Sequence, residues 1–200
     1  MQTQPVAANA WLSQTDVLIT GIGLTASTYS ISKRLHINKP DLVIQAGVAG
    51  CFSKNIPLGG VLAVKQDTIA DQSVIELNEL KTLFDLKLVP QNMFPFSKGW
   101  LVNPDKTLLK ATGLKTVKGI SVNEITTSTQ KIKFYQAAFD PMLESMEGAA
   151  LHYTCLMEQV PFLQLRCISN YIGERNKKKW NMKDAVANLN NELIRLFNTL

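Results

Sequence analysis

Short apolar runs alternate with stretches of helical periodicity along most of the chain. Residues 16–20 (DVLIT) form a β-rich run that enters Gly-Ile-Gly, and a helical stretch follows from 24 to about 35. Residues 41–45 (DLVIQ) read as a second, buried strand closing on Ala-Gly-Val-Ala-Gly at 46–50, and 60–65 (GVLAVK) as a third. A weaker helical signal covers 74–86 and is broken by Pro90 and Pro95. Residues 115–122 are strand-like, 130–139 and 149–158 helical, and 161–169 are the best buried strand of all. Over 183–200, Ala185, Val186, Leu189, Leu193, Leu196 and Phe197 recur at helical spacing and build one apolar face. Strands alternating with helices predict an α/β layered fold with a largely parallel sheet. No repeat or low-complexity linker divides the chain, so an N-terminal segment (1–15) is expected to lead into one domain (16–200).

Composition narrows the class. The chain has 200 residues, 46% hydrophobic and 18% charged, enough for a substantial core and unlike a disordered chain. The net charge of +5 comes partly from Lys177, Lys178 and Lys179 and partly from dispersed lysines and arginines. Nucleic-acid binding wants such residues gathered on one face among aromatics, so solvated loops and helix ends are the better reading and no nucleic-acid partner is expected. Cys51, Cys155 and Cys167 form no CxxC pair, and His36 and His152 lack metal-ligand spacing. Buried free thiols in a reducing cytoplasm are expected, with no metal and no organic cofactor. No apolar run approaches a membrane span, and residues 1–15 do not have the form of a signal peptide.

Three junctions could carry chemistry. "ITGIG" (19–23) is a strand entering glycines and then a helix; it lacks the acidic residue of a dinucleotide fingerprint and serves equally well as a tight turn. "QAGVAGC" (45–51) puts small residues at the end of a buried strand, where a flat ligand could approach the backbone. "ESMEGAA" (144–150) places Glu147 where an irregular segment enters a helix, beside Met146 and small residues that leave room for a ligand. A carboxylate there could also be no more than a partner for the helix dipole. The strand at 161–169 then runs into the polar pair Ser169-Asn170 and a basic loop, "YIGERNKKKW".

"ITGIG", "QAGVAG", "SMEGAA" and "LRCISN", in this order and spacing, resemble the nucleoside phosphorylase and nucleosidase superfamily over about residues 16–200. "MEGAA" followed by "RCISNYIGERNKKKW" is most similar to its futalosine hydrolase branch; the nearest rival, the methylthioadenosine/S-adenosylhomocysteine nucleosidases, has an aspartate at the place of Asn170. The resemblance implies a three-layer α/β/α fold with a mixed, largely parallel central sheet, a small nucleoside as substrate and a homo-oligomer. It implies that Glu147 holds the ribose hydroxyls, that Met146 packs against the ribose, and that Ala49 and Gly50 lie beside the purine. Ile125 and Thr126 would cover the base, Thr126 through its backbone, while Arg166 would stand near the nucleophile and Asn170 would read the purine.

Cleavage of an N-glycosidic bond builds positive charge on the sugar and negative charge on the departing base, tasks suited to Glu147 and to hydrogen bonds at the base respectively. An asparagine NH₂ donates towards N7 and a 6-oxo group but opposes the 6-amino group of adenine, so Asn170 argues for hypoxanthine as leaving group. Family phosphorylases of the hexameric type carry an arginine where this chain has Gln45, so water is the expected nucleophile. Family nucleosidases also begin with a further strand and a water-orienting glutamate. Residues 1–15 contain no Asp or Glu, so a shortened sequence, a wrongly assigned start and a nucleoside-binding homologue without turnover all stay open, as do Asp71 and Glu124 as substitutes. Arg175, on the loop after Asn170, is the candidate to grip the carboxylate at the far end of futalosine.

Overall fold

A computed structural model describes residues 15–199; residues 1–14, which hold nearly all of the predicted N-terminal segment, and residue 200 lie outside the described residues. The elements in order are α1 (Leu24–Ile37), β1 (Val43–Cys51), β2 (Val61–Asp67), β3 (Ser73–Glu76), β4 (Glu79–Thr82), β5 (Leu101–Val102), α2 (Lys106–Ala111), β6 (Thr116–Ser121), α3 (Thr129–Phe139), β7 (Leu143–Ser145), α4 (Gly148–Glu158), β8 (Phe162–Tyr171) and α5 (Met182–Phe197). Six strands form one sheet in the order β5-β2-β6-β7-β1-β8, and a further pairing of β2 with β8 closes it on itself. The pairs β1–β8, β2–β6 and β6–β7 are parallel; β1–β7, β2–β8 and β2–β5 are antiparallel. The long β1–β8 ladder makes the mixed sheet largely parallel by paired length, as the strand–helix alternation predicts.

Alternation along the strands decides what packs where. Ala49, Cys51, Leu62, Val64, Val117, Leu143 and Ile168 turn inward together and fill the closed sheet. The opposite faces take helices. Ala185, Leu189 and Leu196 of α5 cover Ala63, Leu163, Leu165 and Cys167, while Ile31 and Leu35 of α1 pack with Leu151 and Cys155 of α4 on Phe162. Tyr135 and Phe139 of α3 close over Ile120. All three cysteines are buried and free. Among the described residues no helix is long and apolar enough to cross a membrane.

Three sequence expectations are corrected. Residues 16–20 are irregular rather than a strand, with Val17 76% and Ile19 84% exposed. No strand among the described residues pairs with them, and an apolar run without a ladder partner gains nothing from extending. The second strand does not end at Gln45: β1 runs on through Ala46–Gly50 and stays paired with β8 as far as Cys51. The weak helical signal at 74–86 is a hairpin: β3 and β4 pair in register across Leu77 and Asn78, whose φ values of 50° and 63° are those of a two-residue primed turn. Val74, Ile75, Leu77 and Leu80 fall at spacings that fit a helix as well as a strand, which is why the period is ambiguous.

Leucine tolerates a left-handed backbone poorly, and Leu77 is 94% exposed, with no packing to offset the strain. Leu77→Asn should raise the thermal midpoint by about 1–3 °C, as relief of up to about 1 kcal/mol does in a chain of this size. An unchanged or lower midpoint in differential scanning calorimetry would contradict the turn geometry.

Candidate active site

Glu147 is the N-cap residue of α4 and owes its position to the helix start behind it. Gly148 N–H donates to Ser145 Oγ at 3.2 Å, and Ala149 N–H donates to Ser121 Oγ at 2.8 Å, so two amides at the helix start are satisfied by serines from β7 and β6. Ser121 in turn donates to Asp67 Oδ1 at 2.9 Å. Position 148 must be glycine, because a Cβ there would run into Asp67 Oδ2 and the amide of Gln164. A buried polar floor of Asp67, Ser121 and Gln164 thus fixes the turn that presents Glu147.

The carboxylate of Glu147 already has two partners. Oε1 accepts from Gly23 N–H at 3.2 Å, which gives the Gly-Ile-Gly turn a direct role at the site. Oε2 faces Arg166 Nη1 at 3.3 Å in an ion pair whose side chains are only 18% and 3% exposed. Arg166 also donates to Gln45 Oε1 at 2.7 Å, and Gln45 Nε2 donates back to the Glu147 carbonyl at 3.3 Å. Burial pulls the Arg166 pKa below its ordinary value, against the opposing pull of Glu147 and Asp67. Gly47 lies opposite Arg166 in the β1–β8 register, and a Cβ at 47 would occupy the guanidinium's place.

Four residues along β8 stands Asn170. Its Oδ1 accepts from Ser169 Oγ at 2.8 Å and its Nδ2 donates to the Tyr171 carbonyl at 3.1 Å, which sets the amide's orientation and leaves one N–H of the NH₂ to donate elsewhere. That NH₂ lies 3.4 Å from where a Cβ of Gly50 would be, and the Ile172 side chain packs over the same glycine, so a side chain at position 50 would crowd both. Ala49 behaves differently: its side chain is in the closed core, and it contributes its carbonyl, which lies 3.3 Å from Ser169 Oγ. Met146 is half-buried between β7 and Glu147. Ile125 is 45% exposed on the irregular turn before α3, whereas Thr126 is buried there. The Thr126 N–H, expected to face the base, is engaged by Glu144 Oε1 at 3.1 Å.

The loop after β8 is braced from within. Trp180 Nε1 donates to the Glu174 carbonyl at 3.0 Å, Lys179 pairs with Glu174 at 3.0 Å, and the exposed Arg175 lies over the Trp180 ring at 5.9 Å. Asn181 N–H returns to the Ser169 carbonyl at 2.8 Å, so both feet of the loop stand beside Asn170. Asp71 and Glu124 do not join Glu147: Asp71 accepts from the amides of Asn123 and Glu124, and Glu124 pairs with Lys131 at 3.1 Å. His152 is buried, with Nδ1 2.8 Å from the Leu101 carbonyl, and burial lowers its pKa to about 4; it is a neutral core group. A cavity of about 300 Å³ between Thr68, Phe84, Phe96, Phe139 and Tyr153 includes none of the predicted site residues.

Residues 11–199 match the model of the phosphorylase superfamily. The futalosine hydrolase of Thermus thermophilus is 27% identical over 203 residues, covering 98% of this chain and 88% of that protein. A 5'-methylthioadenosine/S-adenosylhomocysteine nucleosidase of Maridesulfovibrio salexigens is 28% identical over 182 residues, covering 86% of this chain and 76% of that protein. Among solved structures, a futalosine hydrolase mutant of Helicobacter pylori superposes with a TM-score of 0.75 at 21% identity, covering 90% of this chain and 79% of the other. The methylthioadenosine/S-adenosylhomocysteine nucleosidase of the same organism, with butyl-thio-DADMe-Immucillin-A, gives 0.75 at 21% identity over 90% and 78%. These superpositions establish the shared fold.

The floor beneath Glu147 has a measurable signature. Burial raises the Asp67 pKa from 3.8 to about 6, partly offset by the Ser121 hydroxyl and by Arg166. A folded-state value above the unfolded one means that protonated Asp67 favours the fold. Its contribution is complete below about pH 4 and is lost as pH rises through about 6. Asp67→Asn removes that titration, so its thermal midpoint relative to wild type should climb by several °C between pH 4 and pH 7 and then level off, for about 2–3 kcal/mol. A difference that does not vary with pH would mean that Asp67 does not titrate in this range.

Proposed function

The chain belongs to the phosphorylase superfamily, and we propose that it is a purine nucleosidase that hydrolyses futalosine to hypoxanthine and dehypoxanthinyl futalosine. One observation carries the choice of base: the Asn170 amide is held by Ser169 and Tyr171 with its NH₂ beside Gly50. The N–H left free donates to N7 or to a 6-oxo group; aimed at the 6-position of adenine it would meet another donor, at a cost of about 1–3 kcal/mol.

The reaction follows from the two ends of the site. The C1'–N9 bond breaks with its electron pair leaving on the base, where the Asn170 N–H stabilises the growing negative charge. Glu147 places a carboxylate against the oxocarbenium-like sugar and accepts from its hydroxyls, since an ionised carboxylate has about four lone-pair sites and two are in use. Arg166 holds that carboxylate in place and stands ready to bind the oxygen of the attacking water. Water closes the sugar at C1' and its proton passes to the base. Arg175, on a loop anchored on both sides of Asn170, would receive the carboxylate of the substrate's carboxyphenyl end. The parts act on a single small nucleoside, and a homo-oligomer in the cytoplasm is the setting the family resemblance supports.

Adenine-releasing nucleosidases are equally similar in sequence, so methylthioadenosine is the competing substrate. Purified protein should release hypoxanthine from futalosine and little adenine from methylthioadenosine, followed by chromatography of the free base. Adenine as the main product would reverse the choice. Tight nucleoside binding with no base released would identify a binding protein instead.

Glu147→Gln should lower kcat on the order of 10²-fold, because the charge facing the sugar is lost. It should also cost about 3 kcal/mol of stability, since Arg166 is left buried against a neutral amide. Unaltered turnover per folded molecule would remove Glu147 from the site. Arg175→Ala should slow futalosine cleavage selectively while leaving inosine cleavage unchanged; equal effects on both would confine Arg175 to bracing the loop against Trp180.

A further inference from the structure

Glu144 is a buried carboxyl that neither the fold nor the reaction described above requires. It lies in β7, is 6% exposed, and spends one oxygen on the Thr126 N–H at 3.1 Å. The other oxygen, Oε2, is buried without a hydrogen bond of good geometry, with the equally unpaired Thr126 hydroxyl as the donor near the carboxyl, and a carboxylate oxygen so poorly satisfied away from water is costly. Burial pushes its pKa up, Thr126 and Lys131 pull it down, and Asp71 adds a smaller upward push.

The sheet register puts this carboxyl beside the base reader. Gly50 of β1 pairs with Glu144 of β7 on one side and with Asn170 of β8 on the other. Directly paired residues project to the same face of a sheet, and the Asn170 NH₂ already lies on the Cβ side of Gly50. Glu144 and Asn170 therefore flank Gly50, over which the Ile172 side chain lies, their backbones two strand spacings or roughly 10 Å apart. A flat base would take the place of that side chain, with Gly50 beneath its plane.

Resting on the reading of the substrate as a 6-oxopurine nucleoside, we propose that Glu144 is a specificity-determining residue that accepts the N1–H of the base. The edge of such a base offers an acceptor at N7, an acceptor at O6 and a donor at N1, in that order. Asn170 supplies the donor for N7 or O6, and Glu144 Oε2 supplies the acceptor for N1–H. Adenine presents an acceptor at N1, which would face the carboxylate's lone pairs. The Thr126 N–H, which could otherwise have served an N1 acceptor, is consumed by Glu144 Oε1. Oε2 is buried, and a base reaches it by displacing the Ile172 side chain from over Gly50.

Calorimetric titration of wild type and Glu144→Gln with hypoxanthine, 1-methylhypoxanthine and adenine tests this. In the variant the amide oxygen keeps Thr126 while the NH₂ turns to N1. Hypoxanthine should weaken by about tenfold or more, 1-methylhypoxanthine should change little, and adenine should hold or tighten. Equal weakening of all three, or no change, overturns the proposal. A second measurement needs no variant: [1-¹⁵N]hypoxanthine bound to wild type should show a protected, downfield N1–H proton, and a freely exchanging one overturns the proposal. Futalosine left uncleaved with these signatures intact would refute the substrate and spare Glu144; cleavage without them would do the reverse.

Discussion

A guanidinium 2% exposed in the middle of a parallel strand cannot stand without compensation, and Arg166 determines much of what surrounds it. The ion pair with Glu147 meets most of the need, Gln45 takes a second nitrogen, and Asp67 adds charge from below. Each partner imposes a condition elsewhere. Gly47 must lack a side chain for the guanidinium to fit, and Gly148 must lack one so that Asp67 and Gln164 can lie under the start of α4. The amide of Gly23 must then reach Glu147 from a separate part of the chain, which ties the entry to α1 to the same carboxylate. Removing Arg166 in favour of an apolar residue would leave Glu147 anionic, half-enclosed and free to move, the opposite of what a charge-stabilising group needs.

Much of this was legible in the sequence, because the junctions that carry polar chemistry interrupt apolar runs. Glu147 at the entry to a helix, Arg166 within a strand and Asn170 at the end of it stand out against their neighbours, and the structure pairs Glu147 with Arg166 and puts Asn170 four residues along the same strand. Long periodic elements such as α5, α3 and β8 were also readable, since one face of each is continuously apolar. The run at 16–20 misled because apolar content signals a strand only where a ladder partner exists. The hairpin at 73–82 was missed because its turn uses Leu77 and Asn78 at positive φ, whereas the sequence signal for such turns is Asn-Gly or Asp-Gly.

Other site features had no signal in one dimension. Gln45 looked like the absence of a phosphate-binding arginine; in three dimensions it is a partner that orients Arg166. Glu144 sits three residues before Glu147 and reads as one more charged residue, because β7 has only three residues and shows no period. Its burial follows from pairing with both Gly50 and Ile120, contacts more than 20 residues away in the chain. Asp67 and Ser121 are likewise ordinary strand ends until α4 is laid across them.

The glycines of "QAGVAG" take on a different meaning in register. Read along the chain, they suggested a backbone bared for a ligand. Read across the sheet, Gly47 lies opposite Arg166 and Gly50 opposite Asn170, so each small residue of β1 accommodates a polar side chain of β8. At Gly50 the Ile172 side chain packs into the remaining space. In the proposed reaction the sugar end and the base end of the site are therefore two rungs of a single strand pair, one closed by an ion pair and one bordered by an amide and by Ile172. Electrostatics at the first rung can be held constant while the second changes its hydrogen-bonding pattern. Substitution at position 170, with its counterpart at 144, could in this way alter the base that is read without disturbing the charge that stabilises the sugar.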